Sequence, residues 1–406
     1  MQSRTFPSLN RAPRYFRVLC SLLLVLITFL SCSDDPSSIL DNDPPTIPTL
    51  QGIIDEMSLA AARFPDIAEM VNLTSTYGTP KTFMGLDLYA LKISDNVRQE
   101  EDEPTFLMVA AHHGNEFGTP VVALDAIARL TEGYGTDLTI SQLVNDNEIW
   151  IAPIWNVDGY PDFRKNGSGI QNVNLNRNYP FLWNSECSGS MEASSGNYKG
   201  PSPGSEPETQ TMMAFSEDQR FTKVLDLHSR GRLVVFGYLC NPHQLSDFLE
   251  DEATALALAS SYGGEARQPS AEGEHYQWQL GTYSNYAFLT EISDTQSPSY
   301  FEAVNEAARV WPGTVWMLQR PIPVWGHVVD ATSGTPLSAN ISYLEEPFSQ
   351  GEKNTSEPRF GRYHAFLPPG EYTLRFSHPG YVTQDVTVTV TNTENLVEVA
   401  LERELQ

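Results

Sequence analysis

The apolar pattern of the chain changes character at Pro321-Ile322-Pro323, so one architecture cannot serve both sides of that point. Before it, short apolar runs alternate with segments whose apolar residues recur every three or four positions. Residues 105–111, 148–154, 224–228 and 287–292 read as buried strands, and residues 119–130, 205–216, 246–262 and 302–318 as helices. Such alternation predicts an α/β arrangement, a mixed and mostly parallel sheet flanked by helices. After it no helical period occurs. Short alternating segments at 324–329, 339–343, 362–367, 371–377, 382–390 and 396–401, separated by turn residues, predict a small all-β sandwich. A chain of 406 residues has room for one large domain and one small one, placed here at 51–320 and 321–406.

Residues 1–31 are set apart by charge. Arg4, Arg11, Arg14 and Arg17 precede an apolar run over 18–30, and no acidic residue occurs before Asp34, the layout of a bacterial export signal. The run falls short of the ~20 residues a membrane span needs. It closes on Leu30-Ser31-Cys32, followed by Ser33-Asp34-Asp35, and is similar to a lipoprotein signal, whose cysteine is lipidated and becomes the new N-terminus. An ordinary cleaved secretory signal is the alternative. On either reading the protein is exported: as an outer-membrane or cell-surface lipoprotein, otherwise to the periplasm or the exterior. Residues 32–50, with Pro36, Pro44, Pro45 and Pro48 among Asp and Ser, read as a tether.

Acidic residues outnumber Lys plus Arg by 51 to 25, and loss of the four signal arginines takes the net charge from −26 to −30. This excess speaks against nucleic-acid phosphates or anionic headgroups as partners, which leaves a lipid on Cys32 as the expected membrane contact. Two cysteines, Cys187 and Cys240, fall in the folded part. An oxidising compartment permits a disulfide between them; two free buried thiols are the alternative, since sequence gives no Cα separation.

The chemistry-bearing residues sit at strand ends. His113 and Glu116, in Ala111-His112-His113-Gly114-Asn115-Glu116, follow the run 105–111. An imidazole and a carboxylate three residues apart can turn onto one metal, and zinc accepts such N/O donors with a third ligand and an open position for water. Alone, the pair reads equally as a surface His beside a helix-start Glu. A third candidate, His228, ends the run Val224-Leu225-Asp226-Leu227-His228. Between them stand Asn156-Val157-Asp158-Gly159, Phe163-Arg164-Lys165-Asn166 and Asn174-Leu175-Asn176-Arg177-Asn178, and after them Phe288-Leu289-Thr290-Glu291.

The order of these phrases over residues 53–318 resembles the zinc carboxypeptidases. The resemblance implies one Zn²⁺ per chain held by His113, Glu116 and His228, with Glu291 as general base and Arg164 facing the oxyanion. It implies that Asn176 and Arg177 clamp the free C-terminal carboxylate of a peptide substrate. Downstream, Gly326-His327-Val328-Val329-Asp330, Leu367-Pro368-Pro369-Gly370-Glu371-Tyr372 and Pro379-Gly380-Tyr381 resemble the transthyretin-like domain found beside some carboxypeptidases.

Three departures bear on function. Asn174 stands where family members usually carry an Asp hydrogen-bonded to the first zinc-binding His, so the bond is retained without the charge. Pro269 stands where the family has a mobile substrate-binding tyrosine, with Tyr262, Tyr276 and Tyr283 as stand-ins. Tyr276 falls at the base of the specificity pocket, where no carboxylate is present to select a C-terminal Lys or Arg. His112 is read as structural, pointing away from the metal if the backbone stays extended. Trp311, Trp316 and Trp325 are read as packing, and His243, His275, His327, His364 and His378 are given no role. The expected activity is zinc-dependent hydrolysis of the C-terminal peptide bond. The alternatives are a zinc amidase acting on cell-wall peptides and a catalytically silent peptide-binding lipoprotein.

Overall fold

The computed structural model describes residues 46–162, 164–167, 172–240 and 242–405. The export signal, Cys32, the tether as far as Pro45 and Phe163 lie outside the described residues. In chain order the first part carries α1 (Leu50–Arg63), β1 (Ala68–Asn72), α2 (Leu73–Tyr77), β2 (Tyr89–Ile93), β3 (Thr105–Ala110), α3 (Gly118–Gly133), α4 (Leu138–Asn145) and β4 (Glu148–Ala152). There follow α5 (Pro207–Gln219), β5 (Lys223–Ser229), β6 (Leu233–Val235), α6 (Ser246–Ala259), β7 (Ala266–Arg267), α7 (His275–Tyr283), β8 (Tyr286–Ile292) and α8 (Tyr300–Gln319).

These strands form one sheet in the order β1-β2-β4-β3-β5-β8-β6-β7. Its centre, β4-β3-β5-β8, is parallel throughout, while β1, β2 and β6 add antiparallel pairings. The mixed, mostly parallel sheet expected from the apolar runs is therefore present. Every residue of β3, β4 and β5 is buried, because a strand covered on both faces has no solvent side to fill with polar residues. The polar residues of β5 are exceptions and each is partnered; Lys223, for example, donates to the Leu318 carbonyl at 2.8 Å. The flanking helices pack mainly as α8 on α3 and α6, with α1 on α3, and α7 lies against β5 and β8.

Local chemistry sets the helix ends. The side chain of Thr49 accepts from Gly52 N and starts α1, so the last residues before it already belong to the fold. Ser299 and Glu302 cap each other reciprocally and begin α8 two residues before its apolar period. Of the elements that the sequence did not suggest, α1 and α4 do bury apolar residues at helical spacing, Ile53 with Met57 and Ile140 with Leu143 and Val144, whereas the others are short or lack such a stripe. β1 lies at the sheet edge and is mostly half-buried, and α7 buries His275, Gln277 and Gln279 together with its apolar residues.

The second part holds β9 (Val324–Asp330), β10 (Asn340–Tyr343), β11 (Arg362–Ala365), β12 (Gly370–Ser377), β13 (Gln384–Val390), β14 (Asn395–Leu396) and β15 (Val399–Leu401). β10-β12-β13 form one sheet and β11-β9-β14, with β15 also on β9, the other. Their own core includes Val328, Ile341, Tyr363, Leu374 and Phe376. The segment expected as one strand over 396–401 is two pieces, both parallel to β9. Between them the Val397 backbone crowds Gly326, where a Cβ would lie 2.1 Å from the Val397 oxygen.

The sheets dock on the first part through stacked Tyr286 and Phe366 rings, 4.6 Å apart. His327 joins them at the junction, 2.7 Å from Asp102 and 2.9 Å from Glu398. Trp311, Trp316 and Trp325 pack, partly buried, against the main core. Among the described residues no helix is long and apolar enough to cross a membrane.

Candidate active site

Parallel strands bring their C-terminal ends to one edge, and β3, β5 and β8 deliver the candidate residues there. The register sets His228 of β5 directly beside Glu291 of β8. After β3, Ala111 takes a left-handed conformation (φ 53°) that ends the extended backbone, and His113 and Glu116 follow in the turn. Two glycines let the neighbouring loops close over this turn. A Cβ on Gly114 would lie 2.5 Å from the Gly159 backbone, and one on Gly159 would lie 2.6 Å from the Asn166 oxygen. Asn156 ties the same loops together by donating to the carbonyls of His112 and Lys165.

The structure brings His113, Glu116 and His228 together. His113 Nδ1 lies 2.8 Å from Glu116 Oε1, and His228 Nδ1 lies 3.1 Å from Glu116 Oε2 and 3.2 Å from His113 Nδ1. All three are buried and their donor atoms fall within 4.8 Å of one another. Two imidazole nitrogens and a carboxylate aimed at one point are the donor set zinc takes at a catalytic site, so these residues fit a zinc ion. Behind them His113 Nε2 is 3.0 Å from Asn174 Oδ1, the bond expected at the position usually held by Asp. The Asn174 amide is oriented because its Nδ2 donates to Gly196 O.

Glu291 borders the same cavity of about 50 Å³. Its Oε2 is buried without a partner, and Arg267 Nη2 lies 3.6 Å from its Oε1. Burial, and then the charge of Glu116, push its carboxyl up to about 7 against the opposing pull of His228 and Arg267.

Asn176 and Arg177 also reach the cavity, carried on the single turn Leu175–Arg177 that Asn174 Oδ1 caps by accepting from Asn176 N. Arg177 is not a bare fork. Its Nη1 pairs with Glu274 Oε1 at 2.8 Å and donates to Asn176 O, while its Nε is buried without a partner. Glu274, unremarked in the sequence, borders the cavity with its own Oε2 unpartnered. Burial raises its carboxyl, opposed by Arg177.

Two expected residues are not brought to the cavity. Arg164 Nη2 pairs with Asp162 at 2.6 Å, with a third of its side chain exposed. Of the two adjacent residues it is Lys165 whose charge couples to the cluster: burial lowers its ammonium, and the charges acting on it include Arg177, Glu116, Glu274 and Glu291. Tyr276 is fully buried and donates to Gly237 O at 2.9 Å. The start of α7 at His275 turns it into the core, so the residue expected at the pocket base does not border the cavity. Pro269 does border it, whereas the Tyr283 hydroxyl is spent on Glu217.

His112, read as structural, is fully buried, and the backbone before it is not extended, since Ala111 is left-handed. Its Nδ1 lies 3.0 Å from Asp226 Oδ1 and its Nε2 2.9 Å from the Tyr179 hydroxyl. With Asp226 and His228 it makes a second group of metal-capable side chains. Cys187 and Cys240 are bonded, with Cα atoms 5.9 Å apart. The link is backed by Glu272, which accepts from Leu239 N and Cys240 N and whose own N donates to Cys187 O.

The zinc carboxypeptidase family profile matches residues 53–307, and that of the carboxypeptidase regulatory-like domain matches residues 323–402. Carboxypeptidase D of Mus musculus is 26% identical over 401 residues, covering 86% of this chain and 27% of that protein. Carboxypeptidase A2 of Rattus norvegicus is 28% identical over 274 residues, covering 61% of this chain and 62% of that protein. The chain thus spans about a quarter of the first relative and under two thirds of the second. Among solved structures, thrombin activatable fibrinolysis inhibitor superposes with a TM-score of 0.60 at 20% identity, over 66% of this chain and 73% of that one. Carboxypeptidase A from Helicoverpa armigera gives 0.57 at 21%, over 66% and 71%. These structures share the α/β fold with its mixed sheet. With its profile matched over most of its length, this chain belongs to the zinc carboxypeptidase family.

Proposed function

We propose that the protein removes the C-terminal residue of peptides by zinc-dependent hydrolysis, with 51–320 as the catalytic domain and 321–406 as an accessory β domain. The observation that carries this reading is the β5–β8 register, which seats Glu291, with its unpartnered oxygen, beside His228 of the His113–Glu116–His228 cluster. Those three side chains would hold Zn²⁺, which when bound polarises the scissile carbonyl and acidifies an attacking water. Glu291 takes the proton of that water on Oε2 and passes it to the leaving amine. A carboxyl held near neutrality by burial suits both transfers.

Arg177 binds the substrate's terminal carboxylate in exchange for Glu274, and Asn176 supplies a neighbouring amide. The oxyanion is assigned to Arg164, which must leave Asp162 to reach it; Lys165 is the second candidate because its charge already couples to the cluster. Tyr276 acts as a support for the pocket wall. One observation favours the amidase reading. Glu274 offsets the charge of Arg177 and keeps a vacant oxygen, which suits a substrate read through an ammonium and not through a terminal carboxylate.

The protein is proposed to be exported and anchored through a lipid on Cys32. The Cys187–Cys240 bond fits an oxidising compartment. The deciding experiment measures zinc-dependent hydrolysis of blocked dipeptides with free or amidated C-termini. Cleavage of the free form alone is expected, and equal cleavage of both would replace the exopeptidase reading with the amidase one.

A further inference from the structure

Three imidazoles converge on one buried carboxylate. Asp226 lies two residues before His228 on β5, so both side chains share a face of the strand. Its Oδ1 is 3.0 Å from His112 Nδ1 and 3.4 Å from His228 Nε2, and its Oδ2 is 3.2 Å from His275 Nδ1. The second nitrogen of His112 is taken by Tyr179 and that of His275 by Gln279. His228 alone of the three keeps a nitrogen, Nδ1, facing Glu116 and His113.

A carboxylate behind a metal-binding imidazole fixes the ring and raises its basicity. Behind His113 this chain offers the neutral amide of Asn174. Behind His228 it offers Asp226. We propose that Asp226 is the positioning residue of the zinc site, supplying behind His228 the charge that position 174 lacks behind His113. The proposal rests on the reading that His113, Glu116 and His228 hold zinc.

The neighbours of His228 Nε2 explain how Asp226 acts. That nitrogen lies between Asp226 Oδ1, which can only accept, and Asn176 Nδ2 at 3.2 Å. The Asn176 amide is oriented by its Oδ1, which accepts from His275 N at 2.8 Å, so its Nδ2 can only donate. A bare Nε2 therefore accepts from Asn176, and a protonated one donates to Asp226. A cation on Nδ1 of a neutral ring requires the proton on Nε2, which selects the Asp226 bond. It also leaves the Asn176 amide free to meet a substrate carboxylate.

The test is the zinc dissociation constant of the full chain, measured by chelator competition, with circular dichroism as the control for folding. Asp226→Asn keeps the shape and is expected to weaken zinc by ~10–100-fold. The double variant Asp226→Asn/Asn174→Asp should regain most of that loss, because a carboxylate again backs one of the two rings. An Asp226→Asn affinity within about threefold of wild type overturns the proposal, being far below the effect of a supporting carboxylate. So does a double variant no better than the single.

If Asp226→Asn does not fold, Asn174→Asp decides alone. With Asp226 already acting, it should tighten zinc by less than about fivefold, whereas a gain of the full ~10–100-fold shows that no carboxylate acts in the wild type. Stoichiometric zinc in both His113→Ala and His228→Ala would instead sink the zinc-site reading itself.

Discussion

On the metal side of the cavity, every ring nitrogen of His112, His113, His228 and His275 has a partner within 3.2 Å. On the substrate side, Glu291 Oε2, Glu274 Oε2 and Arg177 Nε are buried with none. An unpaired buried polar atom costs about 1–3 kcal/mol, and folds rarely keep several of them in one place. On the metal side the rear nitrogens are bonded by supporting residues and the donor atoms of His113, Glu116 and His228 face one another, whereas the substrate side is poised for a ligand that brings the missing partners. Mutations on the two sides should accordingly fail in different ways, one through zinc content and the other through turnover or substrate binding.

The largest effect should come from the metal side. His113→Ala or His228→Ala is expected to remove the roughly one zinc per chain of the parent and reduce hydrolysis to background, as read by elemental analysis and a peptide assay. Zinc retained at full occupancy in both would place the metal elsewhere. Next, Glu291→Gln keeps size and hydrogen-bonding capacity but cannot take a proton. Its kcat should fall by at least ~10²-fold with zinc content unchanged; a variant that loses zinc as well would merge the two sides.

A somewhat smaller loss should identify the oxyanion cation. Removing one such donor costs ~10²-fold in kcat, so Arg164→Ala and Lys165→Ala should separate clearly. A loss confined to Lys165→Ala would assign the role to the residue whose charge already reaches the cluster. The smallest effect is expected at the clamp. Arg177→Lys retains charge without the fork and should raise KM about tenfold. Amidating the substrate should cost wild type heavily and this variant much less, since both changes remove one interaction. Additive losses would show that Arg177 does not read the terminal carboxylate.

The metal side was the more legible in sequence, for a reason visible in its construction. His113, Glu116 and His228 follow or end apolar runs whose parallel pairing is readable from composition, and parallel strands align their ends without help from distant loops. Asp226 was legible in principle: an acid inside an apolar strand, two residues before a candidate ligand, must share its face and must be paired if buried. The substrate side depends on loops and a helix start. The family resemblance places Tyr276 at the pocket, but α7 begins at His275 and turns that ring inward, leaving Glu274 at the cavity instead. Arg164 and Lys165 are adjacent, and loop conformation decides which of them faces the cluster.

By itself the sequence determined the two-part architecture, the mixed sheet and the strand-end residues, because burial on both faces dictates continuous apolar runs and an alternating pattern dictates sheets with one covered face. Only the tertiary structure decided the Arg177–Glu274 pair, the Cys187–Cys240 bond and the Asp226 cluster that draws in His112 and His275. These contacts join residues 49 to 114 positions apart. Their distances are set by how loops and helices close over the sheet, and no local spacing along the chain encodes that closure.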